Sequence, residues 1–434
     1  MRDAGGINGR RSGRPRALAV VVALAAGLSG CWLQPGWGPS RSGHNPFEDE
    51  LTVGNVATLS EAWSVTVGDG AVRDPAVSTD GVHTVAGRFV QTNGLSDGAA
   101  RWSDEVLPPD EPGRPGHVGA PSVRDGQVLV PTSLYGSTDM GLEPDYGIFA
   151  YDAASGGDGD RIRTIGSDDS VTVTGDVLVT TDRFLYEFES GAEPVPVIYV
   201  SAEDLGDPSR SWSTVIRLEP GDERTASPAA VGRNRIVYSF DRDVEAFPRA
   251  HPTCDGEEPY VCFPEWTRGL AGEATPPVVS DDGMTVYVAD TGGRVWALDA
   301  AYGDVRWTAA LGGPAVPRFR VAPTVGGGRL YAPASDGRIY VFDADGCGGT
   351  TCQPRWAAST AGPVTKQAIL AGGVLYVASG GTIDAYDAAG CGAVVCAPLW
   401  TGFAGGSITG GPVVAFGTLL AGRADGRLVA FRPA

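Results

Sequence analysis

The chain has 434 residues, 42% of them hydrophobic, with 63 glycines and 32 prolines. Its 33 Lys and Arg face 52 Asp and Glu, a formal charge of -19, and Lys366 is the one lysine. A surface this acidic repels phosphodiester backbones and anionic headgroups, so nucleic acid is excluded as an expected partner.

Residues 1–30 read as an export signal. Arg2, Arg10, Arg11, Arg14 and Arg16 outweigh Asp3, and the mostly apolar run from Ala17 to Leu28 is shorter than the ~20 residues a membrane span needs. Leu28-Ser29-Gly30-Cys31 resembles a bacterial lipobox. That resemblance implies a lipid on Cys31 and anchoring at the extracytoplasmic face of the cell membrane. An ordinary secretory signal with a chance cysteine is the alternative. Residues 31–60, rich in Pro, Gly and Ser from Trp32 to Glu50, are expected to be tether and leader, and residues 61–434 the folded domain.

The domain is written in repeats of about 40 to 50 residues, built from short apolar runs and Gly/Asp turns, which read as β-propeller blades. Their outer-strand markers are Trp102, the stretch from Arg161 to Ile165, Trp212, Trp266, Trp307, Trp356 and Trp400. The second unit lacks a tryptophan and is recognised from Ile148-Phe149-Ala150-Tyr151-Asp152-Ala153. The third is irregular, with a long excursion from Ser190 to Ser211. After Trp400 the chain supplies strands around Gly411–Gly417 and Gly426–Phe431 but no outer strand. Ala62-Trp63-Ser64-Val65-Thr66-Val67 has the missing form. The expected fold is therefore all-β: an eight-bladed propeller closed by pairing this N-terminal strand with the C-terminal blade, which removes open sheet edges. Seven blades are the alternative, should the third region be an insertion. A monomer is expected.

In the clearest unit, Met284–Val288 and Arg294–Leu298 are strands joined by Asp290-Thr291-Gly292-Gly293. Asp299 is expected to accept hydrogen bonds from its own turn, Gly303 to relieve the backbone and Trp307 to wedge against the next blade. Six cysteines form local pairs, Cys254/Cys262, Cys347/Cys352 and Cys391/Cys396, each just before a repeat tryptophan. In an exported chain such recurrence predicts disulfides. Zinc is the weaker reading, because the nearby His251 would serve only one pair.

These residues resemble the PQQ-binding-like, or quinoprotein alcohol dehydrogenase-like, β-propeller repeat family. Ala297, Asp299, Gly303 and Trp307 match its tryptophan-docking pattern best. The leader Ser42-Gly43-His44-Asn45-Pro46-Phe47-Glu48, with Leu51, Asn55-Val56, Leu59 and Trp63, looks like the start of exported members. The family includes the lipid-anchored assembly factor BamB as well as enzymes, so the fold alone does not imply catalysis. Its dehydrogenases hold calcium through Glu and Asn beside PQQ, use a catalytic Asp and commonly carry adjacent cysteines. Here no two cysteines are adjacent and that set maps onto no positions. No catalytic, cofactor or metal residue is assigned and no cofactor is expected.

The histidines at 44, 83, 117 and 251 are scattered, and Asp158-Gly159-Asp160 and Asp241-Arg242-Asp243 read as solvated turns rather than calcium sites. The loops from Leu134 to Tyr146 and from Ser190 to Ser211 are candidate partner surfaces. The leading expectation is a noncatalytic binding or assembly scaffold contacting an envelope protein or polymer. A PQQ-dependent oxidoreductase of alcohols or sugars is the first alternative, and a propeller-based polysaccharide lyase or hydrolase the second.

Overall fold

The computed structural model describes residues 30–434 except 107–115, 135–146, 164–170, 187–194, 220–221, 223, 225, 251, 255–261 and 316–320. The signal through Ser29, the 135–146 loop, Ile165 and His251 lie outside the described residues.

Within each repeat, short Val-, Ala- and Tyr-rich segments alternate with glycine-containing turns, so the chain meanders through antiparallel strands whose two faces both become buried. Blade five shows the plan: Val278–Val279, Thr285–Asp290, Arg294–Asp299 and Val305–Ala310 follow one another from the axis outward. Seven such sheets, spanning 76–105, 116–163, 172–217, 230–269, 278–310, 324–359 and 369–403, precede an eighth. The eighth takes three strands from the C-terminus, Ile408–Ala415, Thr418–Arg423 and Arg427–Pro433. Its fourth is Leu59–Thr66, paired antiparallel with Arg427–Pro433. Eight blades and closure by the N-terminal strand are as expected. The irregular third region is a blade and not an insertion, because Val195–Asp204, inside the expected excursion, is its third strand and pairs along Val177–Tyr186.

The same contact joins successive blades. The Trp307 indole N–H donates to Ala344 O at 3.1 Å in blade six, Trp266 to Ala300 O at 3.1 Å and Trp102 to Ala153 O at 3.0 Å. Trp400 reaches Leu59 O at 2.9 Å and Trp63 reaches Leu95 O at 3.0 Å, so the chain of contacts passes through the closing blade. Asp299 accepts from the backbone N–H groups of Ala301 and Tyr302, as expected of its turn. Gly303 does more than relieve that turn. Its φ is +70°, and a Cβ there would lie 2.6 Å from the Trp266 ring, so it is the seat for the preceding blade's tryptophan.

All three cysteine pairs are disulfides. Each loop covers the outer edge of the preceding blade. Thr351–Cys352 adds parallel to Val305–Ala310, and Val395–Cys396 adds parallel to Trp356–Ser359. At blade three, Cys262 N donates to Thr214 Oγ1 at 3.1 Å.

The segment expected as a tether is part of the ring. Trp32 pairs with Val77 of blade one, Leu33 O accepts from Val123 of blade two, and the Gln34 amide bonds both backbone groups of Val173 in blade three. Pro39, Ser40, Ser42 and Gly43 then offer their carbonyls to Val231, Val279, Val325 and Leu370 of blades four to seven. Asn45 Nδ2 completes the circuit at Val414 O of blade eight, 3.0 Å away. Innermost strands have no neighbour on their axial side, and the leader supplies their partners. Glu48 then latches the leader by accepting from the N–H groups of Leu51 at 2.8 Å and Gly417 at 3.2 Å.

We expect Gly303→Ala to destabilise the fold by about 2–4 kcal/mol, since it combines positive φ with a clash. Gly126→Ala, whose Cβ would meet nothing within 4 Å, should cost about 1 kcal/mol. Urea midpoints of the two variants measure the difference.

Candidate functional site

The inner strands start on one face of the ring and run toward the other. The leader closes the axis partway, leaving a chamber of about 310 Å³ floored by Trp32, Pro35, Gly36 and Arg41. Its wall comes from residues at or near the start of the inner strands, several of them before a proline: Asp74-Pro75, Ala120-Pro121, Ala322-Pro323 and, within the blade-eight strand, Gly411-Pro412. Proline suits this position because it cannot donate to a ladder.

Among the described residues of that register, blade one places Arg73-Asp74 and blade seven Lys366-Gln367, whereas Ala120, Pro228, Pro276 and Ala322 are small or neutral. Gly410-Gly411 of blade eight separates them. Without side chains there, Asp74 and Lys366 meet at 3.3 Å, and Gly411 N donates to Asp74 Oδ1 at 2.9 Å. Arg73 donates from Nε to Val118 O at 3.0 Å and lies 2.6 Å from His117 Nε2. Arg41, buried in the floor, donates to Thr172 Oγ1 at 3.4 Å. The buried indole N–H of Trp32, also in the floor, has no acceptor among the described residues. Among the described residues, Arg41, Arg73 and Lys366 line the chamber together with the carboxylate of Asp74, inside a strongly acidic protein. Low-dielectric walls strengthen that field toward anionic groups.

Sequence reasoning missed this cluster because it looked for catalytic motifs. The available signal was the chain's single lysine, together with the Arg-Asp before Pro75 at the equivalent repeat position.

The expected individual sites are placed as follows. Cys31 is buried beside the Thr79 backbone, and burial raises its thiol above the ordinary value. His44 lies in the leader, 3.7 Å from Asp281, and His117 contacts Arg73, a residue of the chamber wall. His83 is fully buried in blade one between Ser78 Oγ at 2.8 Å and Thr92 Oγ1 at 2.7 Å. Asp241 pairs with Arg224 at 2.8 Å in a blade-four turn. Among the described residues, no three His, Cys, Asp or Glu side chains converge as a metal site. Asp74, the carboxylate among the chamber's described residues, is already held by Lys366 and Gly411. A calcium-held quinone does not fit this donor set.

Residues 264–434 match a family profile described as outer membrane protein assembly factor BamB. Among solved structures, BamB from Moraxella catarrhalis superposes with a TM-score of 0.55 at 15% identity, over 86% of this chain and 97% of that one. Quinohemoprotein alcohol dehydrogenase from Comamonas testosteroni gives 0.59 at 12% identity, over 96% of this chain and 82% of that one. At these identities the likeness establishes the fold. Protein Rv3035 of Mycobacterium tuberculosis is 35% identical over 120 residues, 27% of this chain and 29% of that protein's length. The resemblance to the PQQ-like propeller family is thereby borne out.

Burial, with a smaller contribution from Arg101, holds His83 down to about 3 from an ordinary 6.5. Between those values the unfolded chain binds a proton that the folded chain excludes, so this histidine costs stability as pH falls below 6.5 and nothing above it. We expect a loss of at most about 1.4 kcal/mol per pH unit below 6.5. His83→Gln should flatten the slope of melting temperature between pH 6.5 and 5.5.

Proposed function

We propose that this PQQ-like β-propeller is a noncatalytic binding scaffold of the cell envelope, lipid-anchored through Cys31 on the extracytoplasmic side, with the axial chamber as its recognition site. The observation that carries the reading is the convergence of Arg41, Arg73 and Lys366 on a leader-floored chamber where, among the described residues, the carboxylate of Asp74 is engaged by Lys366 and Gly411. Such a chamber accepts an acidic group, a carboxylate or phosphate, presented by an envelope protein or polymer. Arg73 and Lys366 would contact the charge, and Gln367 and Thr409 add polar groups to the same wall. Anchoring is supported by the basic, apolar start of the chain and the lipobox-like residues before Cys31.

A quinoprotein oxidoreductase would need the axis to hold a calcium ion with several oxygen ligands, and the described residues of the chamber offer mainly cations.

Two measurements decide between these readings. A photoreactive amino acid at Thr409 should give a cross-linked adduct in intact envelopes, and Arg73→Met with Lys366→Met should weaken it about tenfold, equivalent to ~1.4 kcal/mol. Saturable 1:1 binding of PQQ to the calcium-loaded chain at micromolar or tighter affinity, by calorimetry, would overturn the scaffold reading.

A further inference from the structure

In an antiparallel meander the first-to-second and third-to-fourth strand turns share one face of the ring. Cys31 lies on that face, beside Thr79 in the first such turn of blade one. The leader also leaves the axis there, where Leu51 and Val53 pack at Gly372 and Gly373 of the blade-seven turn. The exposed large apolar side chains of the described residues concentrate on the same face: Phe47 and Val53 on the leader, Met284 and Tyr302 on blade five, Val394 and Leu399 on blade seven. Phe403 is an exception, at the opposite end of its strand, and Phe263 and Val395 lie on the disulfide strands along the outer rim. The chamber opens on the other face.

Between Cys31 and the ring there is no free chain. Trp32, 1% exposed, is already paired with Val77. A lipid on Cys31 is therefore one residue, about 3.8 Å of chain, from a fixed point of the propeller. Lengthening that link would expose Trp32, at a cost comparable to unburying any large core side chain.

We propose that this leader face is a membrane-docking surface, lying flat on a zwitterionic lipid surface with its apolar tips at the headgroup level and the chamber mouth turned away from the bilayer. The lipid class follows from charge, because Asp49, Glu50, Asp125 and Asp281 are exposed on the same face and oppose anionic headgroups. The covalent half of this arrangement rests on the anchoring read above, whereas the distribution of apolar side chains does not.

The test uses the full lipidated chain in phosphatidylcholine vesicles bearing a headgroup quencher. A fluorescent amino acid replaces either Tyr302, on the leader face, or Asp425, in a blade-eight turn of the opposite face. We expect quenching at least about fivefold greater at 302 than at 425, since interfacial contact buries apolar groups only about 5–10 Å deep. Equal quenching, or greater quenching at 425, overturns the proposal, including the case in which the apolar face contacts a protein instead. Intact mass separates the two layers of the argument. If Cys31 carries no lipid, the anchoring reading falls and flotation of the unlipidated chain with the same vesicles tests the face alone. There Tyr302→Asp with Val394→Asp should lower partitioning about tenfold, and no change sinks the docking surface.

Discussion

A four-stranded sheet with two apolar faces is stable only between two others, and a row of such sheets stays soluble only if its ends meet. The pairing of Leu59–Thr66 with Arg427–Pro433 meets that constraint here. It joins strands at opposite ends of the folded ring, so the eighth blade is complete only where the ring closes. The loop-closure entropy is large, but every blade's burial rests on it. The leader adds a second closure on the axis. Its circuit from Trp32 to Asn45 gives each innermost strand a partner it would otherwise lack.

Between blades, one device recurs with local variation. A tryptophan from one outer strand packs on a glycine of the next blade's turn and donates its N–H to a backbone carbonyl nearby. Blade two, which has no tryptophan, interrupts the series. Trp356 keeps the packing on Gly390 while its N–H finds no acceptor among the described residues. Packing area is therefore the common element, and the hydrogen bond an addition. The disulfide loops solve a separate problem at the rim, pairing outer strands of blades three, five and six that would otherwise present open edges.

Function and fold meet at the axis. Repeats place equivalent residues around it, so a charge at one position stands out against the small residues described at others, such as Ala120 and Ala322. The Gly410-Gly411 gap in blade eight lets Arg73, Asp74 and Lys366 approach across a missing side chain. A ring of identical repeats could not build that asymmetry.

The sequence by itself pointed to eight blades over seven, to the closing strand, to the Asp299 turn and to disulfides over zinc, because each is local or periodic: strand, turn and tryptophan recur at a regular spacing. It also showed the third blade as irregular, though not that Val195–Asp204 was a strand, since Pro194 and Pro196 at its start argue against an interior strand. The role of the leader was not legible. Pro-, Gly- and Ser-rich segments read as linkers, and a chain that bonds eight separated strands in a circle has no periodicity of its own. Only the tertiary structure decided that Trp32–Asn45 floors a chamber, that Arg73 and Lys366, nearly 300 residues apart in the sequence, share its wall, and that Cys31 and the exposed apolar side chains occupy one face. Those are relations between distant residues, set by the curvature of the closed ring.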